Sequence, residues 1–189
     1  TGAVTIGANN LTVNSSDVSA VTAGITGTTG NINIAATTRT DVDGAITLTG
    51  AGTVDLDRAV VSGVNVTTAA GAITFDGAAS TDTGAVTVST GAGAGNILFN
   101  NTLGLGGALG VTAGTGNATF TGAVTSGGNN LTVNSAADVT ANNGANDFST
   151  VTLTSATGNA SLVDANAIIL GASTVGGTLC VTSSGTIAQ

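Results

Sequence analysis

The chain lacks most of the side chains on which enzymes depend. Its 189 residues include no His, Lys, Glu, Tyr, Trp, Met or Pro, and only one Cys and four Phe. Asp is then the only conventional general base, and no Schiff-base lysine, His-supported nucleophile or zinc site is available. We therefore expect a protein that is not an enzyme, and we assign it no catalytic, cofactor-binding or metal-binding residue.

Positive charge is also scarce. Two Arg stand against ten Asp, and the formal net charge is −8. Such a chain repels nucleic acid phosphates and anionic membrane surfaces. Its most apolar run, around Ile168–Leu170, is far shorter than the roughly 20 residues that span a bilayer. We expect neither nucleic acid partners nor membrane insertion.

The residues that are present favour β-structure. Thr, Val and Ile together make up about a third of the chain, and these β-branched side chains suit a pleated, half-buried surface. Good helix formers are missing or rare, and 30 Gly residues interrupt the chain too often for long helices. The composition predicts a folded, all-β protein.

Internal repeats organise the chain. TGAVTIGANNLTVNS at 1–15 returns as TGAVTSGGNNLTVNS at 121–135, with 13 of 15 positions identical. A shorter unit also recurs, in which apolar residues alternate with Thr after a small turn residue, and this period of two is typical of a strand. The units are GNINIAA from 30, GAITLTG from 44, GAITFDG from 71, GAVTVST from 84, GNILFNN from 95, GNATFTG from 116, GNASLVD from 158 and GTLCVTS from 177.

Short strands of this kind fit a sandwich of hairpins or a solenoid of parallel strands. Phe75, Phe99 and Phe120 each occupy the fifth place of a unit, and their separations along the chain are nearly equal. In a solenoid these rings would stack in adjacent coils about 4.8 Å apart, whereas a sandwich gives no reason for this register. We predict a single β-solenoid domain over 1–189, with eight or nine coils of about 20 to 24 residues each.

Asn pairs mark several turns between the units. We expect them to adopt left-handed backbone at the solenoid corners and to form amide ladders between coils. The pairs are Asn9 with Asn10, Asn100 with Asn101, Asn129 with Asn130 and Asn142 with Asn143.

Several motifs resemble the repeats of large secreted bacterial exoproteins of the filamentous-haemagglutinin type. They are NLTVNSAADVT (130–140), GNINIAATT (30–38), GAITLTGAG (44–52) and GGTLCVTSSGTIAQ (176–189). The resemblance implies a right-handed parallel β-helix that is exported to the cell surface and serves as an adhesin or a fibrous scaffold. The expected function is an extracellular structural rod, whose partners are neighbouring coils or subunits, surface carbohydrate or a host surface.

Two other functions remain open. The chain opens on TGAVTIG and closes on GTIAQ, so both ends would expose strand edges. In a segment of a longer protein further coils would cover these edges, whereas in a separate filament, sheath or surface-layer subunit they would drive end-to-end stacking. The second alternative is an ice- or calcium-binding solenoid module.

Acidic residues are the only candidate calcium ligands. Asp41 and Asp43 form one cluster and Asp55 and Asp57 a second; the other Asp residues considered are Asp76, Asp82, Asp138, Asp147 and Asp164. Alternation puts Asp55 and Asp57 on one outward face, about 7 Å apart, and hard oxygen ligands suit Ca²⁺. Neither the EF-hand loop nor the tandem GGxGxDxUx nonapeptide of calcium-binding repeats occurs in the sequence. We therefore favour solvated surface carboxylates, with Arg39 paired to Asp41 and Arg58 paired to Asp57.

Thr-x-Thr pairs are the candidate ice-binding feature. They occur at Thr38 and Thr40, Thr47 and Thr49, Thr81 and Thr83, Thr119 and Thr121, and Thr150, Thr152 and Thr154. Because ice-binding solenoids repeat the pair at one place in every coil and this spacing wanders, we favour ordinary solvated strand faces.

Cys180 is the only Cys, and it stands at the outward place of GTLCVTS that Thr47 holds in GAITLTG. It is either a small inert residue buried under a loop or an exposed thiol that links subunits. We favour the inert interpretation.

Overall fold

The alternating units form short parallel strands. The computed structural model describes residues 2–82 and 84–189, and these contain 26 strands and no helix. The first nine strands are β1 (Val4–Gly7), β2 (Leu11–Ser15), β3 (Val18–Val21), β4 (Ile25–Gly27), β5 (Ile32–Ala36), β6 (Arg39–Val42), β7 (Ile46–Leu48), β8 (Val54–Leu56) and β9 (Ala59–Val61). The next nine are β10 (Asn65–Thr67), β11 (Ile73–Phe75), β12 (Ala79–Thr81), β13 (Val86–Ser89), β14 (Ile97–Phe99), β15 (Leu103–Leu105), β16 (Leu109–Thr112), β17 (Ala118–Phe120) and β18 (Val124–Thr125). The last eight are β19 (Asn130–Ser135), β20 (Val139–Ala141), β21 (Thr150–Ser155), β22 (Ala160–Asp164), β23 (Ile168–Leu170), β24 (Thr174–Val175), β25 (Leu179–Ser183) and β26 (Ile187–Ala188).

Three parallel sheets run along the molecule and confirm the predicted β-solenoid. Sheet A joins β1, β4, β7, β10, β13, β16, β19, β21, β23 and β26 in this order, with β24 also on β21. Sheet B joins β2, β5, β8, β11, β14, β17, β20, β22 and β25, one strand from each of nine coils. Sheet C joins β3, β6, β9, β12, β15 and β18.

The coils differ in length, and the strands stay in register. In sheet B, Val54 pairs with Ile73 and Ile73 pairs with Ile97. The coil from Val54 to Ile73 is therefore shorter than the coil from Ile73 to Ile97. The additional residues of the longer coil lie in the corners, where a longer connection leaves the ladder of backbone hydrogen bonds unchanged. The coil lengths are close to those predicted from the repeated units.

The interior is filled by columns of apolar side chains, one residue from each coil. Phe75, Phe99 and Phe120 are almost fully buried in sheet B. Their ring centroids lie 4.6 and 5.0 Å apart, with interplanar angles of 6° and 4°. The predicted interior stack is therefore confirmed. A fourth ring, Phe148, is buried near the end of sheet C.

Glycine opens the units that form sheet B, because adjacent coils approach closely at the corner that precedes each sheet B strand. A Cβ on Gly71 would overlap the carbonyl oxygen of Gly52, and a Cβ on Gly95 would overlap that of Gly71. The same holds along a corner column made of Gly30, Gly52, Gly71, Gly95, Gly116, Gly158 and Gly177, in which Ala137 is the exception. None of these glycines has positive φ, so close packing rather than left-handed backbone explains them.

An amide ladder follows this glycine column, one residue further along the chain. The Oδ1 of Asn96 accepts from the backbone N–H of Asn117 at 2.8 Å, and the Oδ1 of Asn117 accepts from that of Asp138 at 3.0 Å. Amide ladders between coils are therefore present, but of the predicted Asn pairs only Asn10 begins a run of this kind. The predicted left-handed Asn backbone is wrong, since Arg58 is the only non-glycine residue with positive φ in the described chain.

The last strand of sheet C is β18, which is followed by a single parallel bridge between Thr125 and Asp147 and by a buried amide. Asn146 is fully buried, and its Oδ1 accepts from the N–H of Val124 at 2.8 Å. Its Nδ2 donates to the carbonyl oxygens of Ala141 and Val163 at 3.0 and 2.8 Å. Asn146 therefore adds side-chain hydrogen bonds beside the single backbone bridge that follows the last strand of sheet C.

The two copies of the long repeat lie on different sheets. In the first copy β1 belongs to sheet A and β2 to sheet B, whereas in the second copy β18 belongs to sheet C and β19 to sheet A. The offset between the copies is thus not a whole number of coils. Similar strands can occupy any of the three faces because each face requires the same inward and outward alternation.

Candidate functional site

The largest continuous polar feature is a column of residues on the outer face of sheet A. Thr5 pairs with Thr26, Thr26 with Thr47, and each later member pairs with the next along eight consecutive steps. All members are exposed or half-buried. We call it the Thr column, and it consists of Thr5, Thr26, Thr47, Thr67, Ser89, Thr112, Asn134, Thr154 and Thr174.

A shorter column runs beside it, two residues earlier in each strand. It contains Asn65, Thr87, Gly110, Thr132 and Thr152. Some hydroxyls within the Thr column also bond to each other: the Thr5 and Thr26 oxygens are 3.3 Å apart, and Thr67 donates to Thr47 at 3.4 Å.

The predicted Thr-x-Thr pairs do not share one face. Thr40 is buried in sheet C, Thr119 lies on sheet B, and Thr152 and Thr154 lie on sheet A. Thr83 lies outside the described residues. Single Thr residues nevertheless align, because the wandering spacing reflects variable corners. Aligning the units at their corner glycines would not find the Thr column either, since Thr67 lies four residues before Gly71 and Ser89 six residues before Gly95.

Charge is distributed unevenly among the three sheets. No strand of sheet A in the described chain contains a charged residue. Asp55 and Asp164 lie in sheet B strands, and Arg39 and Asp41 lie in β6 of sheet C. The other Asp residues and Arg58 lie at corners or in connections. The outer face of sheet A is therefore neutral on a molecule with a net charge of −8.

Both predicted ion pairs are present at the surface. The Nε of Arg39 lies 2.5 Å from Oδ1 of Asp41, and its Nη2 donates to Oδ2 at 2.9 Å. This hydrogen bond raises the pKa of Arg39, and the charges of Asp41 and Asp43 add to the effect. The contact of Arg58 with Asp57 is looser, at 3.9 Å.

Asp55 is the most perturbed carboxyl group. It faces outward from β8, where its Oδ2 accepts from the Nδ2 of Asn33 at 3.1 Å and its Oδ1 is buried with no hydrogen-bond partner. Burial raises its pKa, and the negative charges of Asp76 and Asp57 raise it further. Repulsion among these three groups is what a bound cation would relieve.

The geometry of a metal site is nevertheless not met. Within residues 2–82 and 84–189, no group of three or more Asp or Cys side chains is placed to hold a metal ion. Asp41 is engaged by Arg39 and Asp55 by Asn33. Calcium binding by two carboxylates with backbone carbonyls stays a hypothesis.

Cys180 is exposed, and the favoured interpretation of a buried residue is wrong. It pairs with Ser161 in sheet B and points outward, as its place in the unit predicts. Because β25 belongs to the last coil, no further strand of the described chain covers it.

The two ends of the solenoid carry the exposed apolar surface. Every large hydrophobic residue that is exposed in the described chain lies in the first coil or the last two: Val4, Val18, Ile169, Leu179 and Ile187. The first coil also opens into an apolar depression of about 490 Å³, lined in part by Leu11, Val13 and Val21. No helix in the described residues is long and apolar enough to cross a membrane.

These features define a β-solenoid repeat protein. Residues 157–189, which contain most of the last two coils, match a family model described as "Repeats of unknown function (DUF5649)". No curated protein and no solved structure matches the chain. The fold and the family description support a repeat protein, and neither identifies the filamentous-haemagglutinin type.

Proposed function

We propose that the chain is a non-catalytic structural rod of an extracellular bacterial surface fibre, of the filamentous-haemagglutinin type, that carries or forms an adhesive surface. The observation that supports this most is the uninterrupted parallel pairing of sheet B through nine coils. Such pairing places backbone hydrogen bonds along the axis, so a load applied along the rod acts on many bonds together.

The outer surface also suits this role. Thr, Ser and Asn present hydroxyl and amide groups along the strands, and the net charge of −8 favours solubility. The absence of His, Lys, Glu and Tyr from the sequence is what supports a non-catalytic role.

Surface display and adhesion can be tested together on the cells that produce the protein. Antibody fragments raised against the purified chain should label intact cells and reduce their attachment to a surface. Labelling that requires permeabilised cells would contradict the extracellular location. Labelling without any effect on attachment would contradict the adhesive role alone.

A second candidate is a subunit that stacks end to end. The exposed Val4 and Val18 at one end and Leu179 and Ile187 at the other favour it, because covering them would remove apolar surface from water. The edge strands β2 (LTVNS) and β25 (LCVTS) carry the same inward residues, Leu, Val and Ser. A head-to-tail contact between them is heterologous and leads to open filaments.

Electron microscopy and sedimentation at increasing protein concentration test this candidate. The chain should form filaments, and the double variant Val4→Lys with Leu179→Lys should stay monomeric because it places charge at both apolar ends. The matched control, Thr5→Lys with Thr182→Lys, adds the same charges at outward positions of the same strands and should still assemble. A wild-type chain that remains monomeric would contradict end-to-end stacking.

A further inference from the structure

The outer face of sheet A differs from the other surfaces in both charge and regularity. It bears the Thr column, which keeps one register across nine coils. It has no charged residue in any strand of the described chain, although the molecule carries ten Asp. The face therefore suits a partner that is uncharged and repeats on the same scale.

The side chains of the Thr column are held more rigidly than most surface groups. Thr is β-branched and strongly restricted at χ1. Its backbone is fixed by parallel pairing on both sides, except at the ends of sheet A. At the seven Thr positions, hydroxyl and methyl groups are thus presented in a nearly fixed array whose repeat of about 4.8 Å is set by the spacing of strands. Ser89 adds a hydroxyl without the methyl group, and Asn134 adds an amide.

This repeat is close to one found in tetrahedrally bonded water. Two O–H···O hydrogen bonds of about 2.75 Å that meet at a tetrahedral angle separate their outer oxygens by about 4.5 Å. The repeat of the Thr column exceeds this by about 0.3 Å per step, so the two spacings stay within about 1 Å of each other over three consecutive steps. The face can therefore hold a row of waters at almost the spacing of a frozen network, with no charge to reorient them.

Two other occupants fit less well. Nine coils of about 4.8 Å and short strands give a face on the order of 500 Å², below the roughly 800 Å² per partner of a standard protein interface. A second copy would therefore bind weakly here. Carbohydrate rings pack well against aromatic side chains, but all four Phe residues are buried.

We propose that the outer face of sheet A, centred on the Thr column, is an ice-binding surface. The partner is the surface of crystalline water, which the face recognises through an ordered row of bound waters. This inference is independent of the adhesive or filament role, because it concerns one side of the rod rather than its ends.

Ice affinity tests the proposal directly. A dilute solution of the purified chain is frozen slowly from a cold surface, and the protein in the ice fraction is compared with that in the remaining liquid. Wild-type protein should be enriched in the ice, and growth of single ice crystals should stop over a measurable interval below the melting point. Thr112→Lys, which places a charge in the middle of the Thr column, should abolish both effects.

The matched control is Thr119→Lys, the same substitution at an outward position of sheet B. It should retain the ice affinity, and thermal unfolding should show that both variants remain folded. Exclusion of the wild-type chain from ice would overturn the proposal. An equal loss of ice affinity in Thr112→Lys and Thr119→Lys would also overturn it. A wild-type dimer that Thr112→Lys dissociates would also overturn it, because the face would then belong to a second copy.

Discussion

The residues that determine the interior are the stacked phenylalanines. Phe99 lies between Phe75 and Phe120, with centroid separations of 4.6 and 5.0 Å, and is 3% exposed. It contacts rings in both neighbouring coils, so the interior on either side of it depends on its volume. Its neighbour Leu98 points the other way and is half-buried on the outer face.

We predict that Phe99→Ala lowers the free energy of unfolding by about 3 to 5 kcal/mol, because it removes a buried ring and leaves a cavity. Leu98→Ala, the adjacent substitution on the outer face, should cost much less. Urea denaturation of both variants measures the difference. Equal losses would mean that Phe99 is not an interior residue.

Asp55 makes stability depend on pH in the direction opposite to that of most carboxyl groups. Its pKa is raised in the folded protein, first by burial and then by Asp76 and Asp57. The folded state therefore binds its proton more readily than the unfolded state, whose pKa is about 3.9. The free-energy cost of the charged Asp55 carboxylate is present at neutral pH. It disappears as the pH falls through the raised pKa of the folded protein toward the pKa of the unfolded chain.

We expect Asp55→Asn to raise the free energy of unfolding relative to wild type, and this gain should be largest near neutral pH. This advantage should shrink as the pH falls through the raised pKa of the folded Asp55 carboxyl, because the wild-type group then becomes protonated. Chemical denaturation at a series of pH values measures the difference between the two proteins. Asp17→Asn, which removes one exposed charge, is the control; an advantage of Asp55→Asn that does not change with pH would contradict the assigned cause.

At the scale of the element, each repeated unit combines a corner with a strand. Glycine lets the corner approach the coil below, and in GNILFNN and GNATFTG the following Asn accepts from the backbone of the coil above. The alternating residues then form the strand. The corner therefore sets the spacing between coils, and the strand sets which side chains enter the interior.

The corner glycines should tolerate substitution poorly. Gly71→Ala places a Cβ against the carbonyl of Gly52, and we predict a loss of about 1 to 3 kcal/mol from overpacking. Gly104→Ala is the matched control, since its nearest neighbour would be the Ser80 Cβ at 3.8 Å. Thermal and urea unfolding compare the two, and a Gly71→Ala protein as stable as Gly104→Ala would contradict the close approach.

Of the eight short units recognised in the sequence, six become sheet B strands and two become sheet A strands. Units such as GAITFDG and GAVTVST fall in sheets B and A, where β11 and β13 begin soon after the corner glycine. Sheet C was not predicted, because strands such as Ala79–Thr81 and Val124–Thr125 lack the pair of large apolar residues that usually marks the other units. The Thr column was also missed, because corners of variable length conceal a register that only strand pairing reveals.

At the scale of the whole molecule, stability is a property of neighbouring coils. Each coil contacts the next, and the end coils lack a neighbour on one side. Their side chains are correspondingly more exposed: residues 171–189 contain none that is buried, whereas buried residues alternate along the central strands. The middle of the rod should therefore be the most resistant to local opening.

Hydrogen exchange tests this gradient. Amides of β14 to β20 should exchange most slowly, and those of β1 to β3 and β23 to β26 most rapidly, when the chain is dilute. Raising the concentration should slow exchange at the two ends if the chain stacks into filaments. Uniform protection of every coil in a monomeric sample would contradict the nearest-neighbour account.

In the β-solenoid, successive coils rise by one strand spacing along a single axis. Spin labels attached to cysteines in a Cys180→Ser background test it, with one label at Thr12 and the second at Thr119, Thr140 or Ser161, five, six or seven coils further along sheet B. We predict distances of about 24, 29 and 34 Å, which increase by about 4.8 Å for each coil. Distances that do not increase with the number of intervening coils would contradict the solenoid.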